Sequence, residues 1–218
     1  MTGGKSAQAA SIGAIIAWCG LSLFAILSPT SDFARTASFM AIVALLAFCL
    51  IHSARRLGLR HTLILFMLAV VIANIYENLS IATGFPFGSY VHTPASGPKL
   101  FQVPIIVGPI FYSVGYIAWT LATMILGEPG RPQDRLRYWG IPVVAAFIVT
   151  GWDICSDPIG ATIGRKWIFA ESGAYYGVPL ANYLGWYLCT WSYFQAWSIY
   201  LSSKEAPAPR AEIGRAHV

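Results

Sequence analysis

Two carboxylates lie at matching positions in long apolar segments, where they could give or take protons. Glu77 lies as many residues beyond His61 as Asp153 lies beyond Arg137, each near the far end of its segment. At 1.5 Å per residue, each carboxylate is roughly 24 Å along its helix, so the two share one depth in a membrane. Because an ionisable side chain inside a membrane span is costly, both are candidates for proton transfer or ion binding.

Two further polar residues fall at the same predicted end of the molecule. Asp157 follows Asp153 by one helical turn, which places the two carboxylates on one helix face. Pro158 disfavours continued helix and is predicted to end this segment. Asn182 lies just inside the start of the last apolar segment. The candidate catalytic residues are Glu77, Asp153, Asp157 and Asn182.

Glycine, proline and aromatic residues crowd the two loops beside these positions. The first loop contains TGFPFGSY at 83–90 and GPKLFQVP at 97–104, and the second contains YYGVPLANYLGW at 175–186. Glycine and proline at this density fix turns. The aromatic residues fit either a belt at the membrane interface or the wall of a pocket. We interpret His92, in the first loop, as an ordinary loop residue.

The composition predicts a membrane protein. Hydrophobic residues make up 56% of the chain and charged residues 11%, with a mean hydropathy of +0.61. An average soluble domain is about 25% charged. Each uncharged run approaches the roughly 20 helical residues that cross a bilayer. We therefore predict an all-α integral membrane bundle of about six helices, forming one domain over residues 1–203. The runs are 7–27, 36–54, 61–76, 103–126, 138–152 and 178–201.

Basic residues are distributed unequally between the predicted sides of the membrane. Nine lie in the N-terminus, the second and fourth loops and the C-terminal segment, against four in the other loops. The positive-inside rule then places both termini in the cytoplasm and predicts a multi-pass protein of the cytoplasmic (inner) membrane. This bias accounts for the net charge of +5, so no nucleic-acid partner is needed to explain it.

The C-terminal segment is predicted to be irregular. Residues 204–211, rich in Ala and Pro, read as the start of a disordered tail. Residues 212–218 read EIGRAHV, the in-frame translation of a common DNA-sequencing adapter, and are predicted to be an artefact. A seventh helix lost by this truncation is an open alternative.

Motifs for several other chemistries are missing from the sequence. The chain has no His, Cys and carboxylate cluster at metal-ligand spacing, no glycine-rich phosphate loop and no nucleophile elbow. The four cysteines form no C-x-x-C pair and are interpreted as small apolar residues. We therefore predict no metal site, no nucleotide site and no serine-hydrolase activity.

The loop motifs, taken in order, resemble those of the CruF-like carotenoid biosynthesis family. The matching blocks are Glu77 with 83–90, then 97–104, 152–158 and 175–186, so that the resemblance covers roughly residues 60–200. This family consists of integral membrane proteins and includes carotenoid 1′,2′-hydratases. The resemblance implies addition of water across the terminal C=C bond of an acyclic carotenoid, a lyase reaction that gives a tertiary alcohol.

The resemblance also suggests roles for the candidate residues. Asp153 or Asp157 would be the general acid, and Glu77 and Asn182 would hold the attacking water. Aromatic side chains would line the substrate or stabilise a carbocation. No cofactor would be needed, and the partners would be a hydrophobic carotenoid and the lipid bilayer. These aromatic candidates are Phe87, Tyr90, Tyr175, Tyr176 and Trp186.

Three other functions use the same features. A non-enzymatic carotenoid- or lipid-binding protein would need the apolar site without the acids. Another acid-initiated isoprenoid enzyme, a cyclase or isomerase, would need the same acids and aromatic residues. A small transporter would use the carboxylates as ion sites, although they lie at one end of the bundle and no inverted repeat is visible.

Overall fold

The computed structural model describes residues 2–28, 31, 33–128 and 134–203, and within them six long helices form a bundle. Five of these helices are long and apolar enough to cross a membrane. This confirms the predicted all-α membrane bundle. The predicted tail, 204–218, and its proposed artefact, 212–218, lie outside the described residues. The helices are α1 (Thr2–Leu27), α2 (Ala34–Leu57), α3 (Leu59–Thr83), α4 (Val107–Leu126), α5 (Arg135–Asp157) and α6 (Leu180–Ser202).

The sixth helix, α6, differs in composition from the other five. It has 23 residues, enough to cross a bilayer, but its Trp, Tyr, Ser and Gln side chains lower its hydropathy. These side chains are tolerated because α6 packs against α3, α4 and α5. Its Tyr193, Phe194 and Trp197 are fully buried. Among the described residues, α6 therefore supplies more buried aromatic side chains than any other helix, although its hydropathy is lower than that of the other five.

Local signals set the ends of the helices. Gly84 ends α3 in the left-handed conformation, with φ of 81°, which glycine adopts without strain. The side chain of Asp134 caps the start of α5 by accepting a hydrogen bond of 3.3 Å from the backbone N–H of Arg137. The α-helical part of α5 ends at Asp157, before Pro158, as predicted. A wider, π-type turn, Pro158–Ile163, continues the helical path, so helical structure runs further than expected.

Short antiparallel strands join the loops at one end of the bundle. Strand β1 (Tyr90–His92) pairs with β4 (Trp167–Phe169), and β2 (Lys99–Leu100) pairs with β3 (Val103–Pro104). The β1–β4 pair ties the α3–α4 loop to the α5–α6 loop, with Tyr90 opposite Phe169 and His92 opposite Trp167. This ribbon was not predicted, because strands of two or three residues leave almost no periodic signal.

The close approach of α4 to α6 gives a prediction about stability. A Cβ atom at Gly115 of α4 would collide with the hydroxyl of Tyr193, whose position is fixed by a 3.2 Å hydrogen bond to the Phe111 carbonyl. We expect Gly115→Ala to lower the free energy of unfolding by about 1–3 kcal/mol, because overpacking forces the helices apart. Thermal unfolding of the detergent-solubilised protein measures this. Gly20→Ala in α1, with no heavy atom within 4 Å of the added Cβ, is the matched control. Equal stability of the two variants would contradict the packing.

Candidate active site

Two aspartates on α5 share one amide donor from α6. The Nδ2 atom of Asn182 donates hydrogen bonds to Asp153 Oδ2 at 3.2 Å and to Asp157 Oδ2 at 2.5 Å. All three side chains are buried, Asp153 completely. The one-turn spacing of the aspartates lets both reach the same donor, as the sequence predicted. Asn182 reaches them because α6 begins after Pro179 and runs back alongside α5.

The carboxylate of Glu77 contacts two side chains of strand β1. The hydroxyl of Tyr90 donates a short hydrogen bond to Glu77 Oε2, and His92 Nε2 lies 3.4 Å from the same oxygen. The side chains of Glu77 and His92 are only 8% and 5% exposed. Tyr90 lies outside the membrane-spanning helices, where burial, with the nearby charge of Glu77, raises the pKa of its phenol well above the usual range. Tyr90 therefore stays a hydrogen-bond donor to the carboxylate.

The aspartate pair with Asn182, and Glu77 with its partners on strand β1, form one site at one end of the bundle. Glu77 interacts electrostatically with both Asp153 and Asp157, and Asp157 also interacts with Tyr90. The site therefore combines residues of α3, α5 and α6 with those of strand β1. The structure brings together all four predicted catalytic residues, as expected from the equal depth of Glu77 and Asp153.

Three residues of this region each have a buried polar atom that makes no hydrogen bond to a described residue. These atoms are Asp153 Oδ1, His92 Nδ1 and the hydroxyl of Tyr183. Tyr183 interacts electrostatically with both aspartates, so it belongs to the same site. Since buried polar atoms are nearly always paired, these three are available to bind water or a substrate. Within the described residues, no three His, Cys, Asp or Glu side chains are placed to hold a metal ion.

The predicted aromatic residues divide into a buried group and an exposed group. Phe87, Tyr90 and Trp186 are 1%, 6% and 8% exposed, whereas Tyr175 and Tyr176 are 45% and 68% exposed. The Phe87 ring lies 6.5 Å from that of Trp186, and the absence of a side chain at Gly185 lets the Phe87 backbone approach α6. Tyr175 lies at the rim of the site, with its ring 6.1 Å from that of Tyr183.

Sequence reasoning missed two polar residues of this site. His92 was interpreted as an ordinary loop residue, yet its side chain is buried against Glu77. The missed signal was the order Tyr90-Val91-His92, in which alternate residues of a strand point to the same face. Tyr183 follows Asn182 directly in the motif at 175–186, but it was not predicted to belong to the site. His92 could not be placed without the pairing of the two loops, whereas Tyr183 lies in the first turn of α6 beside Asn182.

Comparison with known proteins found similar sequences. A sequence profile of the family described as "Carotenoid biosynthesis protein" matches residues 16–216. A bisanhydrobacterioruberin hydratase from Haloarcula japonica is 31% identical over 126 residues, which make up 56% of this chain and 41% of the relative. The match thus spans less than half of that relative. No solved structure matches the chain. Because the profile covers most of its length, the chain belongs to the carotenoid biosynthesis protein family.

Proposed function

We propose that the protein is a carotenoid hydratase of the cytoplasmic membrane, which adds water to the terminal C=C bond of an acyclic carotenoid. The observation that carries this proposal is the pair of buried aspartates that share the Asn182 amide. Family membership and the resemblance to a bisanhydrobacterioruberin hydratase support it. The proposal requires this buried pair to hold a proton away from water and to deliver it to an alkene that enters from the bilayer.

The first step is proton transfer to the alkene. An alkene is a weak base, so the donor must be a carboxylic acid that holds its proton in a dry site. Two carboxyl groups so close together do not both carry a charge, and one proton can stay on the pair. We assign the donor to Asp153, because its Oδ1 atom makes no hydrogen bond to a described residue. Asp157 receives the shorter bond from Asn182 and stabilises the charge left on the pair.

The second step is capture of a carbocation by water. Protonation at the less substituted carbon breaks the π bond, forms a C–H bond and leaves a tertiary cation, which the Trp186 face can stabilise. Water then forms the C–O bond and gives its proton to Glu77. The proton returns from Glu77 to the aspartate pair, which restores the enzyme. The sum is one water added to one alkene, and this balance consumes no cofactor.

This assignment separates the polar residues into two roles. Asn182 belongs with the acids, since its amide donates to both aspartates. Glu77 is the base that holds water, oriented by Tyr90 and His92. The sequence left the acid undecided and grouped Asn182 with the water. The hydrogen bonds favour the division proposed here.

The proposal predicts a defined product in cells. Expressed in a host that accumulates lycopene or another acyclic carotenoid, the protein should convert the pigment into a compound heavier by one water. Chromatography and mass spectrometry of extracted pigments measure this. Pigment that stays unchanged beside well-inserted protein would contradict hydration of that substrate. Pigment that co-purifies unchanged would favour a binding protein, and an isomer of equal mass would favour a cyclase or isomerase.

Removing the acid should slow the reaction strongly. We expect Asp153→Asn to lower the rate of hydration by about 10²–10⁴-fold, because the amide cannot supply the proton. Asp157→Asn should also lower it. Glu171→Gln, the same change at an exposed residue of the α5–α6 loop, is the matched control and should leave the rate unchanged. Initial rates in membranes that contain equal amounts of each protein measure the effect, and similar rates for all three would exclude acid catalysis by the pair.

Removing the base should leave protonation intact. In Glu77→Gln, the acid pair still protonates the alkene, but capture by water slows, so the cation returns a proton instead. Substrate recovered from membranes in D₂O should then carry deuterium at the protonated carbon, with little alcohol formed. Mass spectrometry of the recovered pigment measures this. Substrate free of deuterium, as expected for Asp153→Asn, would contradict the division of roles.

A further inference from the structure

Three aromatic side chains surround Trp186 beside the acid pair. Trp186 stacks on Phe111 of α4, with ring centroids 4.0 Å apart and the planes 6° from parallel. Trp152 of α5 and Phe87 of the α3–α4 loop meet Trp186 at steep angles, with centroid distances of 5.9 Å and 6.5 Å. Phe111 and Trp152 were not predicted to take part in the site. We call these four residues the Trp186 cluster.

The Trp186 cluster lies next to the acid pair along both helices. Trp186 is one turn beyond Asn182 on the same face of α6, a distance of roughly 6 Å along the axis. Trp152 immediately precedes Asp153 on α5. The cluster therefore lies just inside the acid pair, toward the middle of the membrane. A molecule held against Trp186 would have its end close to Asp153.

Exposure within the Trp186 cluster rises from the core to the surface of the bundle. Phe111 is completely buried and Trp186 is 8% exposed, whereas Trp152 is 40% exposed. Because α5 is long and apolar enough to cross a membrane, the exposed part of Trp152 is expected to face lipid. Trp152 thus lies between the lipid and the buried rings. Its contact with the Trp186 ring distinguishes it from a tryptophan that only anchors a helix at the membrane interface. Trp139, another tryptophan of α5 with 48% exposure, packs on its neighbour Tyr138.

We propose that Trp152 is the point at which the substrate leaves the lipid, and that the terminal isoprenoid unit then rests against Trp186. The occupant is the end of an acyclic polyene, which is apolar, conjugated and soluble in the bilayer. Aromatic faces bind such a chain by stacking and stabilise a cation formed at its end. This inference rests on the proposed function for its substrate, but it concerns binding and can be tested without turnover.

The test compares two tryptophans of the same helix. In Trp152→Leu, we expect the retention of an acyclic carotenoid by purified protein to fall, together with the circular-dichroism band induced in the bound pigment. The KM for hydration should rise about tenfold, with kcat changed by less than about threefold, because the loss is in substrate binding. Trp152→Phe should restore most of the binding, since it keeps an aromatic face.

Trp139→Leu, at the opposite end of α5, is the matched control and should behave as the unmodified protein. Equal pigment retention and equal KM in Trp152→Leu and Trp139→Leu would overturn the inference, even if hydration is confirmed. Loss of retention in Trp152→Leu alone would support the binding site, even if the protein hydrates nothing. Loss of kcat without a change in KM or retention would assign Trp152 to the chemical step and would also overturn it.

Discussion

The burial of two neighbouring carboxyl groups between membrane helices is the constraint on which the rest of this structure depends. Two charges in such a place would be very costly, so the pair needs a shared proton and a donor. The Asn182 amide supplies that donor to both aspartates. To bring it there, the end of α5 must lie beside the start of α6, and the long connection with its π-type turn and strand β4 must return to the same end of the bundle. The two hydrogen bonds of Asn182 therefore constrain where α5 ends and where α6 begins.

The loops complete the site by pairing with each other across a long stretch of sequence. Strand β1 would be an isolated segment of three residues without β4, and such a segment is not stable alone. Pairing fixes Tyr90 and His92 above Glu77, on the side away from the membrane centre. Gly84 and Gly88, both with positive φ, allow the chain to turn tightly between α3 and this strand. The carboxylate on α3 is thus held by residues that the helices alone could not position.

The sequence predicted the features that depend on helix geometry and missed those that depend on loop pairing. The common depth of Glu77 and Asp153 was predictable because the rise of a helix is constant. The shared face of Asp153 and Asp157 followed from their spacing. The burial of His92 was not predictable, because it requires the pairing of β1 with a strand more than 70 residues away. The exposure of Tyr175 and Tyr176, as against the burial of Trp186, depends in the same way on the path of the loop.

Hydration of a carotenoid brings together two reactants that do not share a solvent. The alkene dissolves in lipid, whereas water and the base that activates it belong to the aqueous side. In the proposed mechanism, the alkene reaches the Trp186 cluster from the lipid at the half-exposed Trp152, while Glu77 is buried against Tyr90 of the α3–α4 loop. The aspartate pair interacts electrostatically with Glu77, and Asp153 follows Trp152 directly on α5. In the proposed reaction, the aspartate pair protonates the alkene in a dry place, and water reaches the cation from the side of Glu77. This division would account for the acid and the base being separate groups on different helices.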